Sequence, residues 1–181
     1  MKKLAIVAMI AAAFGSAGSA YAASTGTITF NGLLTANTCD VVVDGQGPDA
    51  TVVLPTLGTN QLDAATKTAG ATSFVMALSN CSGTLETASA FFESGASVEA
   101  TTGRLKNMTG TATNVSLELL DASSPSQKVI QVGNQNQVTN TTYVDISSGA
   151  ANLPYAVRYY AEAATTPGTV ASNVVYSIQY Q

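Results

Sequence analysis

Val174-Val175-Tyr176-Ser177-Ile178-Gln179-Tyr180-Gln181 closes the sequence on a strand pattern. Side chains of a strand alternate between its two faces, so Val174, Tyr176, Ile178 and Tyr180 share one face while Val175, Ser177, Gln179 and Gln181 take the other. The apolar face needs a core to cover. The strand also needs a neighbour, because a bare edge leaves a row of main-chain donors and acceptors open to pairing with any chain that meets it. No residues follow to supply that neighbour, and the pattern predicts a fold with one strand missing.

The same period of two recurs upstream. Phe74, Met76 and Leu78 alternate ahead of Cys81; Val115, Leu117 and Leu119 do so ahead of the turn-like stretch from Asp121 to Ser126; Tyr155, Val157 and Tyr159 follow Pro154. Between the runs lie Asp44-Gly45-Gln46-Gly47-Pro48, Cys81-Ser82-Gly83, Thr109-Gly110 and Thr165-Thr166-Pro167-Gly168, where Gly and Pro supply dihedrals that strands do not use. Gln61 to Lys67 lacks alternation and tolerates a short helical turn. Short strands separated by such turns predict an all-β domain, an incomplete immunoglobulin-like β-sandwich lacking its final strand.

At the other end, Lys2 and Lys3, the apolar run from Leu4 to Phe14 and the small residues ending in Ala20-Tyr21-Ala22 have the order of a secretory signal peptide over residues 1–22, with the mature chain starting at Ala23. A membrane anchor needs about twenty consecutive apolar residues, and Gly15, Ser16, Gly18 and Ser19 interrupt this run. No later stretch is apolar for that length, so no membrane insertion is expected after cleavage. Next comes Thr27-Ile28-Thr29-Phe30-Asn31-Gly32-Leu33-Leu34. Ile28, Phe30, Gly32 and Leu34 fall on one face and Thr27, Thr29 and Asn31 on the other, with Leu33 breaking the polar pattern. Gly32 weakens an isolated strand but permits close backbone approach. From the residues alone this run is either the first strand of its own domain or a strand meant for another molecule.

Loss of Lys2 and Lys3 leaves five cationic side chains against eleven carboxylates, a formal charge of −6. Nucleic acid and anionic membrane surfaces are thereby disfavoured as partners. Cys39 and Cys81 are the two cysteines, and in an exported chain they are expected to form one structural disulfide. With no histidine in the chain, the usual base for a serine or cysteine nucleophile and the commonest metal ligand are both missing. Glu86, Glu93, Glu99 and Glu118 are scattered carboxylates that would have to be brought across a cleft to act as a glycosidase pair. The expectation is no enzyme, no metal and no cofactor.

Taken together, Gly26-Thr27-Ile28-Thr29-Phe30-Asn31-Gly32 ahead of Cys39, Ala112-Thr113-Asn114-Val115 leading to Leu119-Leu120-Asp121, Leu153-Pro154-Tyr155 with Arg158-Tyr159, and Ile178-Gln179-Tyr180-Gln181 give the chain its resemblance to the major subunit of type 1 fimbriae, which the chaperone-usher pathway of Gram-negative bacteria assembles. The resemblance covers essentially the whole mature chain. It implies a donor-strand extension over 23–36 and a pilin domain over 37–181, the domain's missing strand being supplied by a neighbouring subunit. It implies that Thr27, Ile28, Thr29, Phe30, Asn31, Gly32, Leu33 and Leu34 are the donated strand. Val174, Tyr176, Ile178 and Tyr180 would line the receiving groove and meet a periplasmic chaperone before assembly. Other copies, related pilins and an outer-membrane usher would be the further partners, with the extracellular fimbrium as destination. A minor or adaptor pilin is the first alternative, and a monomeric secreted sugar-binding sandwich the second. Sugar sites generally rely on aromatic platforms, and this chain has no tryptophan.

Overall fold

The computed structural model describes residues 26–123 and 125–181. The signal peptide read over residues 1–22 lies outside them. Residues 26–34 belong to one unit and Thr35–Gln181 to a second, compact one. In the first, residues 26–34 carry no regular secondary structure and are exposed.

The second unit is built from antiparallel strands β1 (Thr38–Val43), β2 (Thr68–Ser82), β3 (Thr87–Phe92), β4 (Leu105–Lys106), β5 (Val115–Asp121), β6 (Lys128–Ile130), β7 (Val144–Asp145), β8 (Ala151–Ala161) and β9 (Tyr176–Tyr180). One sheet runs β1-β2-β8-β5-β4, with β6 also on β5, and the other runs β7-β3-β9. The alternating runs of the sequence become the facing layers. Phe74, Met76 and Leu78 of β2, Leu117 and Leu119 of β5, and Leu153, Tyr155 and Val157 of β8 pack on Ala88, Ala90 and Phe92 of β3. Tyr155 joins the layers by more than contact area: its ring meets Phe92 edge-on at 5.2 Å and its hydroxyl accepts the Ala90 N–H at 2.9 Å.

Two local departures have physical reasons. Pro154 sits inside β8, between two neighbouring strands, where a missing N–H ordinarily breaks a ladder. Its carbonyl accepts from Ala122, just past the point where β5 ends at Asp121, so no strand of the ladder asks for the absent donor. Helix forms as a 3₁₀ turn at Thr59–Gln61 and not over the expected Gln61 to Lys67, and a four-residue α-helix, α1 (Gln137–Asn140), appears where nothing in the sequence marks it. The cause of α1 is tertiary. The Gln137 side chain is 1 % exposed, and its amide accepts from Phe92 N–H and donates to Phe92 C=O, each at 3.0 Å, standing in for a strand beside β3.

Candidate functional site

β9 begins two residues later than the apolar pattern, at Tyr176, although Val175 C=O still accepts from Glu93 N–H at 2.8 Å. Gln181 and Thr87 exchange both of their main-chain bonds, so in this antiparallel pair the odd-numbered residues of β9 bond β3. The even-numbered residues therefore turn their N–H and C=O to the opposite edge, and among the described residues no strand pairs there. Their side chains face the core yet stay half-buried: Val174, Tyr176, Ile178 and Tyr180 pack against it without being covered.

The other wall is residues 48–58, a segment without regular secondary structure or a ladder of its own. Gln46 holds its start, its amide exchanging two 3.1 Å bonds with the main chain of Thr51. Farther along, Gly70, at φ +67, lets the wall approach β2. A side chain there would come within 2.8 Å of Leu57, and Pro55 also borders the space. Val52 and Leu54 turn toward the core, whereas Val53 between them is 79 % exposed.

Between the walls the interior is open. A cleft of about 530 Å³ has Val52 and Leu54 on one side, Val174 and Tyr176 on the other, and core residues Phe74 and Leu117 among those on its floor. A second cleft of about 580 Å³ continues along the same two segments, past Leu57 and Leu62 on one side and Thr165 to Val170 on the other. The walls are tied at intervals by hydroxyls. Tyr176 donates to Pro48 C=O at 2.8 Å, Tyr159 to Pro55 C=O at 3.3 Å and Thr165 to Leu62 C=O at 3.1 Å. Tyr180 also meets the Cys39 main chain, but as an acceptor of its N–H. Burial pushes the three phenols up from their ordinary pKa, so each hydroxyl keeps its proton. Such a groove has an apolar floor and an unpaired main-chain edge, and it suits an extended segment with apolar residues at every second position.

Cys39 and Cys81 are bonded, joining β1 to β2 beside this seam. The scattered carboxylates are engaged separately: Glu118 accepts from Arg158 Nε at 2.8 Å, Glu93 from Ser177 Oγ at 2.6 Å and Glu99 from Thr101 Oγ1 at 3.2 Å. In the N-terminal arm, residues 26–34, Ile28 is 77 %, Phe30 88 % and Leu34 fully exposed, while Thr27, Thr29 and Asn31 are exposed as well. Val52 and Leu54 are wall residues that sequence reasoning did not single out, whereas Tyr159, already marked by the alternation of β8, reaches this wall through Pro55 C=O. In the sequence Val52-Val53-Leu54 is an unbroken apolar run, so nothing there separates the two wall residues from the exposed Val53.

Comparison with known proteins adds relatives and folds. Residues 54–181 match the family described as "FimA: Type-1 fimbrial protein, A". The "Major fimbrial subunit SMF-1" of Stenotrophomonas maltophilia (strain K279a) is 42 % identical, over 87 % of this chain and 94 % of that protein. The "F17 fimbrial protein" of Escherichia coli is 36 % identical, over 97 % of each. Among solved structures, the P pilus rod subunit PapA superposes with a TM-score of 0.59 at 16 % identity, covering 79 % of this chain and 99 % of that one. A chaperone-usher pilus structure gives 0.60 at 20 % identity, covering 88 % and 97 %. At these identities the structural likeness bears on the fold, an incomplete immunoglobulin-like β-sandwich.

Proposed function

The chain belongs to the type-1 fimbrial protein family, as a structural fimbrial subunit, and on that premise we propose that it polymerises by donor-strand exchange. Thr27 to Leu34 of one subunit fills the groove of the next, with Ile28, Phe30 and Leu34 turned to the floor and Gly32 where the backbone must come closest. The observation that carries this reading is the open seam of the sandwich, where core side chains and one edge of β9 lack cover within residues 35–181.

The energetics favour a durable joint. Burying Ile28, Phe30 and Leu34 contributes about 1.5 to 3 kcal/mol each. Each net main-chain hydrogen bond adds ~0.5 to 1.5 kcal/mol, before ordering and association costs. Since the arm and the groove are different surfaces of one chain, the contact is heterologous and repeats without closing, which makes a fibre. Before assembly a periplasmic chaperone covers the same groove, recognising Val174, Tyr176, Ile178 and Tyr180, and an outer-membrane usher passes the subunit outward. The role is structural and not catalytic, with attachment at the cell surface as its use.

Deleting Thr27 to Leu34 tests the assignment directly. By electron microscopy the intact mature chain is expected as filaments and the deleted chain as compact monomers that still bind the chaperone. Filaments of unchanged length from the deleted chain would reject it.

A further inference from the structure

The arm carries the one Asn-Gly pair of the sequence, Asn31-Gly32. Asn31 is exposed, residues 26–34 have no regular secondary structure, and nothing lies within 4 Å of where a Gly32 side chain would begin. We propose that Asn31-Gly32 is a deamidation site that retires subunits left unassembled, an inference that rests on the donor-strand reading of the arm.

The chemistry needs water alone. The Gly32 main-chain nitrogen attacks Cγ of Asn31, a C–N bond forms, and the side-chain amide leaves as ammonia, giving a cyclic imide. Water then opens the imide at either carbonyl. One product is aspartate. The other is isoaspartate, in which the chain runs through the former side chain and gains a methylene in its backbone. Glycine is the residue that permits the attack, because it has no side chain to obstruct the nitrogen and adopts the turned conformation freely.

Sequence position makes the product matter. Strand alternation has a period of two, so an added backbone atom after Phe30 throws Leu34 off the face shared by Ile28 and Phe30. A subunit altered in this way presents an arm whose two halves no longer fit one groove. A strand seated between two others has its amides paired and its backbone extended, and Gly32 nitrogen can then neither turn nor attack. Assembled subunits are protected, and free ones age.

Contrasting sites within the same chain sharpen the case. Asp44-Gly45 could form the same imide, but Asp44 Oδ1 is held by Val75 N–H at 2.8 Å. Asn107 is fixed through both ends of its amide, donating to Ala112 C=O at 2.9 Å and accepting from Gly110 N–H at 3.0 Å.

The experiment incubates the mature chain, free and as filaments, at mildly alkaline pH, maps peptides by mass spectrometry and assays isoaspartate. Polymer yield is followed alongside for wild type and Asn31→Gln, each against its own fresh sample. The expected result is loss of the Asn31 amide in free chains while Asn107 keeps its own, isoaspartate as the larger product, retention of Asn31 in filaments, and loss of polymer yield on ageing in wild type alone. If the free chain keeps Asn31 as long as Asn107, the chemical step is overturned. Equal loss in free chains and filaments, with the chemistry intact, overturns the proposal through the donor-strand reading beneath it. An aged, isoaspartate-bearing chain that polymerises as well as a fresh one overturns the retirement of subunits.

Discussion

Phe30 has the largest apolar side chain of the arm, and at 88 % exposure it stabilises nothing in its own subunit. Phe30→Asp is therefore expected to leave the thermal unfolding of the monomer unchanged and to abolish filaments, since the carboxylate would enter a neighbour's groove without a partner, at a cost of several kcal/mol. Normal polymer yield would refute an inward Phe30. Asp121 shows the opposite use of a carboxylate. It is 2 % exposed at the end of β5 and accepts from Ser123 N–H at 2.9 Å and Thr142 N–H at 2.7 Å. Burial pushes its pKa up, but the two amide donors outweigh burial and hold it below the ordinary value. A lowered folded pKa gives stability that is complete above the unfolded carboxylate range and fades as pH falls through the folded value. Denaturant unfolding of the domain is expected to show an acid loss beginning near pH 4, and Asp121→Asn to flatten it while costing about 1 to 3 kcal/mol at neutral pH. An acid limb of the same slope in the variant would mean that other carboxylates set it.

Among the elements, the bond between Cys39 and Cys81 fastens β1 to β2 across a sequence separation of 42, a loop whose closure is worth ~3 to 4 kcal/mol in the entropic account. A free subunit has an open seam and depends on that tie, whereas a filled groove adds a strand to the same region. Titrating reductant against circular dichroism is expected to unfold monomers at lower concentration than filaments, and equal sensitivity would contradict the filled groove. The elements also differ in how plainly the sequence announced them. β2, β5 and β8 were legible because each sets large apolar residues at every second position against the core, even though β5 is buried on both faces. Residues 48–58 were not legible, because this wall is held by Gln46, Tyr159 and Tyr176 from elsewhere and needs no period of its own. The helix α1 escaped for a related reason: four residues cannot display a helical repeat, and what fixes them is the amide of Gln137 against Phe92. Of the groove, the sequence marked the β9 strand through the alternation of Val174, Tyr176, Ile178 and Tyr180, and left the facing segment unmarked, since Val52, Val53 and Leu54 form an unbroken apolar run.

For the molecule as a whole, incompleteness is a thermodynamic statement before it is a functional one. Two clefts of about 530 and 580 Å³ run along one seam of the sandwich, so part of the apolar surface that a closed fold removes from water remains available to a ligand. Anything that binds the folded domain and not the unfolded chain raises its stability, by roughly 2.7 kcal/mol at a hundredfold excess over Kd, which for a domain of this size moves Tm up by several degrees. A chain of residues 35–181 mixed with a synthetic peptide of residues 26–36 separates strand donation from every effect of covalent attachment. The peptide is expected to raise Tm with saturation at one peptide per domain, and the same peptide carrying Phe30→Asp is expected to leave Tm where it was. A peptide whose Leu33 is made polar is expected to act as well as the parent, since Leu33 lies on the odd-numbered face and has no place on the groove floor. Saturable stabilisation by the Phe30→Asp peptide would show binding elsewhere, and no stabilisation by the parent peptide would leave the seam without the occupant proposed for it.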